Sequence, residues 1–430
     1  MSFQKQVTQS LIWRGLYFFT ILVMQIFLSR YLEAGNSGWV FYLTNNFSFL
    51  LILVGLTMEN GVNYYGSNNS INHNALAWFS IAWTFMIAAI VFVGLWFYFG
   101  RYKDTSTFTR NEYLFYGLTY ITGIQLTNFF TILFYANKNF FLPNFLMVIL
   151  NIIIIIIIPK QIGIEATNSS LIVKLYFGYI LLNGIVLAVA FLMKKKSWQQ
   201  VSFPKLAEGK LLLNYAFIAL AANIIFFLVY RVDYWFVKKY CSPSDLGNYI
   251  QVSKLGQMLL IFPTIISSVV FPNIAGGMQR EQMKANILRI GRVITVIFIG
   301  LLIVVSLTGQ WVFPQVFGYT FQKMYWPFLL LIPGIWALSN LFILSAYFGG
   351  SNKVKVNVQG AALALIFILI GDWMFIPIYG MEAAAMVSSV GYFVNFLYSF
   401  YFLKKEYPVQ FSQYWRITKD DIRWAKSFLQ

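Results

Sequence analysis

Seven ionisable residues lie inside long apolar stretches of the chain: Arg14, Glu59, Lys174, Arg231, Asp233, Lys254 and Asp372. An eighth, Arg30, stands at the far end of the first stretch. A charge at mid-bilayer costs about 2.5–3.5 kcal/mol on insertion scales, so such groups are expected to face one another, a protein interior or water. Four of the seven are cations and three are anions. Arg and Lys in a wet groove suit phosphate oxygens. Buried carboxylates suit coupling to a proton or a sodium ion, or structural pairing.

Arg14, Arg30, Arg231 and Lys254 are therefore the candidate substrate-binding cations of a central cavity. Arg14 reads also as a side chain snorkelling to headgroups, and Arg30 as an interface anchor. Lys254 lies about eight residues into its segment, roughly 12 Å deep at helical rise. Lys174 is near a segment end, where snorkelling is expected. Glu59, Asp233 and Asp372 are candidates for coupling or for structural ion pairs. Glu59 stands in a polar run with Thr57, Asn60 and Asn63, which suggests a wet surface. Arg231 and Asp233 are two apart, so a helix points them to different sides.

Other chemistry is poorly served. The only cysteine, Cys241, excludes an intramolecular disulfide, and a single histidine, His73, argues against a His-based metal site. Gly209-Lys210 lacks the earlier glycine of a nucleotide-binding loop and is followed by Leu211. No zinc-protease helix, paired-cysteine motif, nucleophile elbow or dinucleotide turn is present. The expectation is a transporter, not an enzyme, with no cofactor and no metal. Uphill movement would draw on an ion gradient or on consumption of the product outside.

These residues must be positioned by membrane helices. The 430 residues are 59% hydrophobic and only 10% charged, whereas soluble domains carry about 25% charge. Apolar segments run at about 9–32, 38–65, 75–100, 113–136, 140–158, 171–193, 211–237, 246–275, 286–309, 323–349, 357–377 and 383–403. Seven consecutive isoleucines at 152–158 speak for helices, since barrel strands alternate in polarity. Pro263 and Pro333 predict kinks. The net charge of +17 marks loops facing anionic lipid, with no nucleic acid implied. With twelve spans and a cytoplasmic N-terminus, Lys and Arg in inside loops outnumber those outside by more than two to one. Clusters at Lys194–Lys196 and Lys404–Lys405 dominate the count. Both termini are therefore expected in the cytoplasm.

The expected fold is an all-α membrane protein of about twelve transmembrane helices in two six-helix bundles. Residues 1–200 form the first bundle, 201–403 the second, and 404–430 a basic cytoplasmic tail. In that tail Thr418 could cap a short amphipathic helix on the inner leaflet, or the tail is simply solvated. Tyr31, Gly38, Leu50, Leu51 and Ile52 recur 209 residues later as Tyr240, Gly247, Leu259, Leu260 and Ile261. Asn137-Lys138 recurs as Asn352-Lys353, and Pro159, Gly163, Glu165 and Ala166 as Pro377, Gly380, Glu382 and Ala383. Six helices per half make the repeat parallel, a known transporter plan that encloses a central cavity.

Three stretches carry a family resemblance. Ile376–Ser389, Asn352-Lys353-Val354-Lys355, and Arg231-Val232-Asp233 followed by Leu246-Gly247-Asn248-Tyr249 and Phe271-Pro272 are similar to helix junctions of polysaccharide exporters. Those exporters belong to the multidrug/oligosaccharidyl-lipid/polysaccharide (MOP) superfamily. The resemblance implies a Wzx-type flippase with two bundles in a V shape that alternate between inward-open and outward-open states. Its substrate would be an undecaprenyl-diphosphate-linked oligosaccharide repeat unit, moved across the bacterial cytoplasmic (inner) membrane for O-antigen, capsule or exopolysaccharide synthesis. Membrane lipids and a polysaccharide polymerase or assembly machinery are the expected partners. The alternatives are an ion-coupled drug exporter of the same superfamily and, further off, a membrane glycosyltransferase or polymerase. The latter would need a sizeable outer loop, and the outside loops here are short.

Overall fold

A computed structural model describes residues 3–101, 109–162, 169–275, 280–414 and 416. The described residues are helical, without a strand. The helices are α1 (Phe3–Gly55), α2 (Met58–Ser67), α3 (His73–Arg101), α4 (Arg110–Ala136), α5 (Phe141–Ile162), α6 (Ser169–Lys195), α7 (Leu206–Arg231), α8 (Asp233–Tyr240), α9 (Pro243–Leu259), α10 (Ile261–Ala275), α11 (Arg280–Phe317), α12 (Tyr325–Gly350) and α13 (Val354–Glu406). Eight stretches among them are long and apolar enough to cross a membrane. The chain is a multi-pass membrane protein. Its outer surface carries large exposed apolar side chains such as Phe97, Ile218, Leu307 and Trp373, as lipid contact demands.

Two compact units form. The first comprises Met1–Leu32 and Val40–Ile224, the second Glu33–Trp39 and Ile225–Gln430. The division therefore falls at the Glu33 break of α1 and within α7. In the first unit Phe129, Phe130, Leu133 and Phe134 of α4 pack on Leu187 and Phe191 of α6 and on Leu212 and Ala216 of α7. Glycines draw α4 and α6 together: a Cβ on Gly123 would stand 2.4 Å from the Ile180 carbonyl oxygen. Close backbone approach of this kind replaces the hydrophobic drive that lipid does not supply.

Several helices break at residues with positive φ. Glu33 has φ 57 inside α1. Leu56 and Thr57 have φ 54 and φ 51 and separate α1 from α2. Left-handed backbone at such residues costs about 1–3 kcal/mol each and persists only where the surroundings fix it. Thr57 is indeed buried, and its hydroxyl donates to the Ala216 carbonyl at 3.4 Å. Gly380 (φ 65, ψ −145) breaks α13 into a hairpin. The expected kinks differ in detail. The chain breaks at Leu260, which leaves Pro263 in the first turn of α10, where no amide hydrogen is required. By contrast α12 continues through Pro333.

In the second unit two residues of the first expected repeat match meet. The repeat partners Gly38 and Gly247 pack on each other. A Cβ on Gly38 would lie 2.5 Å from the Gly247 nitrogen, and one on Gly247 would lie 1.8 Å from the Ala34 carbonyl oxygen. Ala34 N–H donates to the Thr320 hydroxyl at 3.0 Å, and Asn248 donates to the Thr320 carbonyl at 3.0 Å. The second repeat match needs a one-residue shift. Asn137 caps α4 and Lys138 follows with φ 56, whereas Ser351 caps α12 and Asn352 follows with φ 58. Equivalent bonds close both turns, Asn139 N–H to Phe134 O and Lys353 N–H to Phe348 O. The left-handed position, not the Asn-Lys identity, sets the register. Gly163, Glu165 and Ala166 of the third match, and Thr418 of the tail, lie outside the described residues.

The start of the 404–430 stretch is built into the second unit. Tyr407, Val409 and Tyr414 are buried. Tyr414 packs on Phe396 and Phe400, and Arg292 donates to the Gln413 carbonyl at 3.2 Å. Glu406 accepts from the Tyr347 hydroxyl at 2.6 Å and pairs with Lys353 at 2.8 Å.

Candidate functional site

The second unit gathers four of the candidate residues. Asp233 starts α8, immediately after the junction at Val232 with α7. The two halves of α13 fold against each other along a seam of small residues. A Cβ on Gly371 would lie 2.7 Å from Val387, and one on Gly391 would lie 2.4 Å from Ile368. That seam sets Asp372 and Ser388 on facing turns. Asp233 and Asp372 are 1% and 0% exposed, and the two lie within electrostatic reach of each other. Asp233 Oδ2 accepts hydrogen bonds from the Tyr249 hydroxyl and, at 3.0 Å, from Ser388. Asp233 Oδ1 and both carboxyl oxygens of Asp372 have no hydrogen-bond partner among the described residues.

Beside this acidic pair stand two cations. Arg231, at the end of α7, and Lys254, on α9, are both partly buried and feel each other's charge. Arg231 is also within electrostatic reach of Asp233. Its guanidinium approaches Gln257 Oε1 at 3.5 Å, and Gln257 donates to Ser253 at 3.2 Å. Tyr234 donates to the same Ser253 hydroxyl at 2.8 Å. Sequence spacing puts Arg231 and Asp233 on different sides of a helix, and the junction at Val232 keeps them neighbours in charge while Asp233 turns into the core.

The first unit holds the remaining candidates. Arg14 is exposed, and its guanidinium lies 4.5 Å from the Tyr135 ring centre, with Nε donating to the Tyr135 hydroxyl at 3.3 Å. Asn144 donates to that hydroxyl at 2.9 Å. Arg14 is thus held by named partners instead of trailing freely. Arg30 is exposed. Glu59 lies in the first turn of α2, half-buried, on a face shared with Asn60 and Asn63. Lys174, expected to snorkel, instead pairs with Glu112 at 2.9 Å, because the capping box of Thr109 and Glu112 fixes that carboxylate at the start of α4.

Sequence reasoning missed Tyr249 and Ser388 as partners of the acids, and Gln257, Ser253 and Tyr234 beside the cations. Uncharged polar residues in apolar helices look alike until a charged neighbour singles them out. A signal existed, since Tyr249 and Ser388 lie inside the stretches that resemble polysaccharide exporters. Among the described residues no group of three or more His, Cys, Asp or Glu side chains is placed to hold a metal ion.

No family model matches the chain, and no curated protein matches it. Solved structures do. The lipid II flippase MurJ in an inward closed conformation superposes with TM-score 0.72 at 13% identity, covering 99% of this chain and 92% of that one. An inward-facing multidrug resistance MATE family transporter of the MOP superfamily gives TM-score 0.69 at 11% identity, with 91% and 94% covered. The Vibrio cholerae MATE transporter VcmN in a bent form gives 0.62 at 14% identity, with 96% and 99% covered. At these identities the likeness concerns the fold. The fold of this chain, over nearly its whole length, is that of MOP superfamily transporters, shared by a lipid flippase and by multidrug exporters.

Proposed function

We propose that this protein is a flippase for lipid-linked oligosaccharides, of the Wzx type, and that an ion bound in the second unit drives or gates its cycle. Sugar hydroxyls cannot cross hydrocarbon unaided, since each unpaired one costs roughly 4–8 kcal/mol on a cyclohexane scale. A wet groove lined by Arg and Lys removes that barrier for the diphosphate and the sugars, while the acyl chain stays in lipid. Arg231 and Lys254, a cation pair beside a membrane helix junction, are the observation that carries this reading. Arg14 and Arg30 of the first unit are proposed as further substrate-binding cations.

Asp233 and Asp372 are the proposed coupling site. Two neighbouring buried carboxyl groups, three of whose oxygens have no hydrogen-bond partner among the described residues, call for a proton or a sodium ion for charge balance. Tyr249 and Ser388 would complete its polar surround. Glu59 is assigned to the wet wall of the first unit. The proposed topology is twelve spans with both termini cytoplasmic, in a bacterial inner membrane. It takes α1 and α13 as two spans each, α1 joined to α2, α7 to α8 and α9 to α10. The bundles are proposed as two like-oriented sextets, divided near residue 200 by sequence, with the polysaccharide polymerase or assembly machinery as partner.

The test is reconstitution of the purified protein into liposomes holding a fluorescent undecaprenyl-diphosphate-linked sugar in both leaflets. Protein-dependent access of an external quencher to the inner pool supports flipping. No such access across several candidate sugars overturns it. A second reading is an ion-coupled drug exporter, favoured by the likeness to MATE structures. Raised drug tolerance of an overexpressing strain, with no sugar-lipid flipping, would select it.

A further inference from the structure

The first unit carries an aromatic cluster that the cation and acid sites do not use. Tyr64 of α2 stacks on Tyr215 of α7, with ring centres 4.8 Å apart and planes 17° from parallel. Tyr65 closes the group edge-on to both, at 5.0 Å and 6.2 Å. Tyr64 is 49% exposed. A stacked tyrosine pair with one member half exposed offers an amphipathic surface on which a ligand can lie.

The backbone holds the group in place. The left-handed pair Leu56 and Thr57 ends α1 and lets α2 turn away from it. Gly61 then admits the backbone of α7, since its Cβ would lie 2.9 Å from the Leu212 carbonyl oxygen. Thr57 bonds the Ala216 carbonyl one turn on. Residues 60, 63, 64 and 67 share the opposite face of α2 by helical spacing. Asn63 there is exposed and accepts from Ser67 at 3.3 Å, and Asn60 is half-buried.

A pyranose ring has one face of C–H groups and a rim of hydroxyls. An open aromatic face removes the C–H face from water, and side-chain amides exchange hydrogen bonds with the rim. We infer that the Tyr64–Tyr215 stack, with Asn60 and Asn63 beside it, is a carbohydrate subsite that takes a sugar of the lipid-linked substrate. The inference rests on the flippase reading above and adds which residues read the sugar.

The test measures binding of four probes to the full-length protein in nanodiscs: undecaprenyl diphosphate alone, and the same lipid bearing one N-acetylglucosamine, galactose or glucose. The wild type should bind at least one sugar-bearing lipid about 3- to 10-fold more tightly than the bare diphosphate, the range of one aromatic contact. Tyr64→Ala and Tyr215→Ala should each erase that preference while bare diphosphate binding, which doubles as the folding control, is retained. Tyr64→Trp should keep it, and Asn63→Ala, at an exposed position, should lower it two- to threefold. A wild type without preference, or a preference that survives Tyr64→Ala, overturns the subsite. A wild type that binds none of the four lipids instead overturns the flippase reading itself.

Discussion

Among the described residues Asp372 has no hydrogen-bond partner for either carboxyl oxygen, yet it lies fully buried beside Asp233. An arrangement of this kind is unstable unless a cation joins it. Asp233→Asn and Asp372→Asn should each abolish the effect of pH or sodium on lipid binding. Coupling between sites is typically worth about 5- to 150-fold in affinity, and the variants should show none. Binding titrations at two pH values and two sodium concentrations check this. Lys254→Ala should weaken undecaprenyl diphosphate binding about 10- to 100-fold, the worth of a charge-assisted hydrogen bond, and Lys254→Arg should restore most of it. At this scale the sequence was partly legible. A charge in an apolar run declares itself, so Arg231, Asp233, Lys254 and Asp372 could be named in advance. Their partners could not, because Tyr249 and Ser388 carry no charge and meet Asp233 only through the fold.

Helix junctions and glycine contacts decide where these side chains point. Gly247→Ala puts a methyl group 1.8 Å from the Ala34 carbonyl oxygen, a backbone atom with no rotamer to yield. A loss of about 1–3 kcal/mol is expected, seen as a lower midpoint in a thermal unfolding scan. Gly209→Ala is the control. It sits in α7 with nothing within 4 Å, so the midpoint should hold or rise slightly. Gly380→Ala should also destabilise, by about 1–3 kcal/mol, since φ 65 with ψ −145 is a glycine conformation. The apolar periods of the helices were legible from composition alone. The break at Glu33 was legible too, since it falls between the apolar segments 9–32 and 38–65, whereas the break at Leu56–Thr57 lies inside the second of them. At the second break Thr57 is buried and held by the Ala216 carbonyl. The second repeat match moved by one residue, since a left-handed turn fixes register more firmly than an Asn-Lys pair.

For the whole molecule, an all-helical membrane plan was readable from the long apolar segments. The sequence could not show that the two units divide within α1 and α7, because compactness depends on which residues touch. The likeness to MurJ and to MATE transporters fixes the fold and leaves cargo to the side chains. The most direct measurement is leaflet exchange in proteoliposomes, comparing wild type with Lys254→Ala on an undecaprenyl-diphosphate-linked sugar. The account predicts rapid exchange with the wild type and loss of it in the variant at unchanged protein content. Equal exchange by both, or none beyond protein-free vesicles with the wild type, would contradict it.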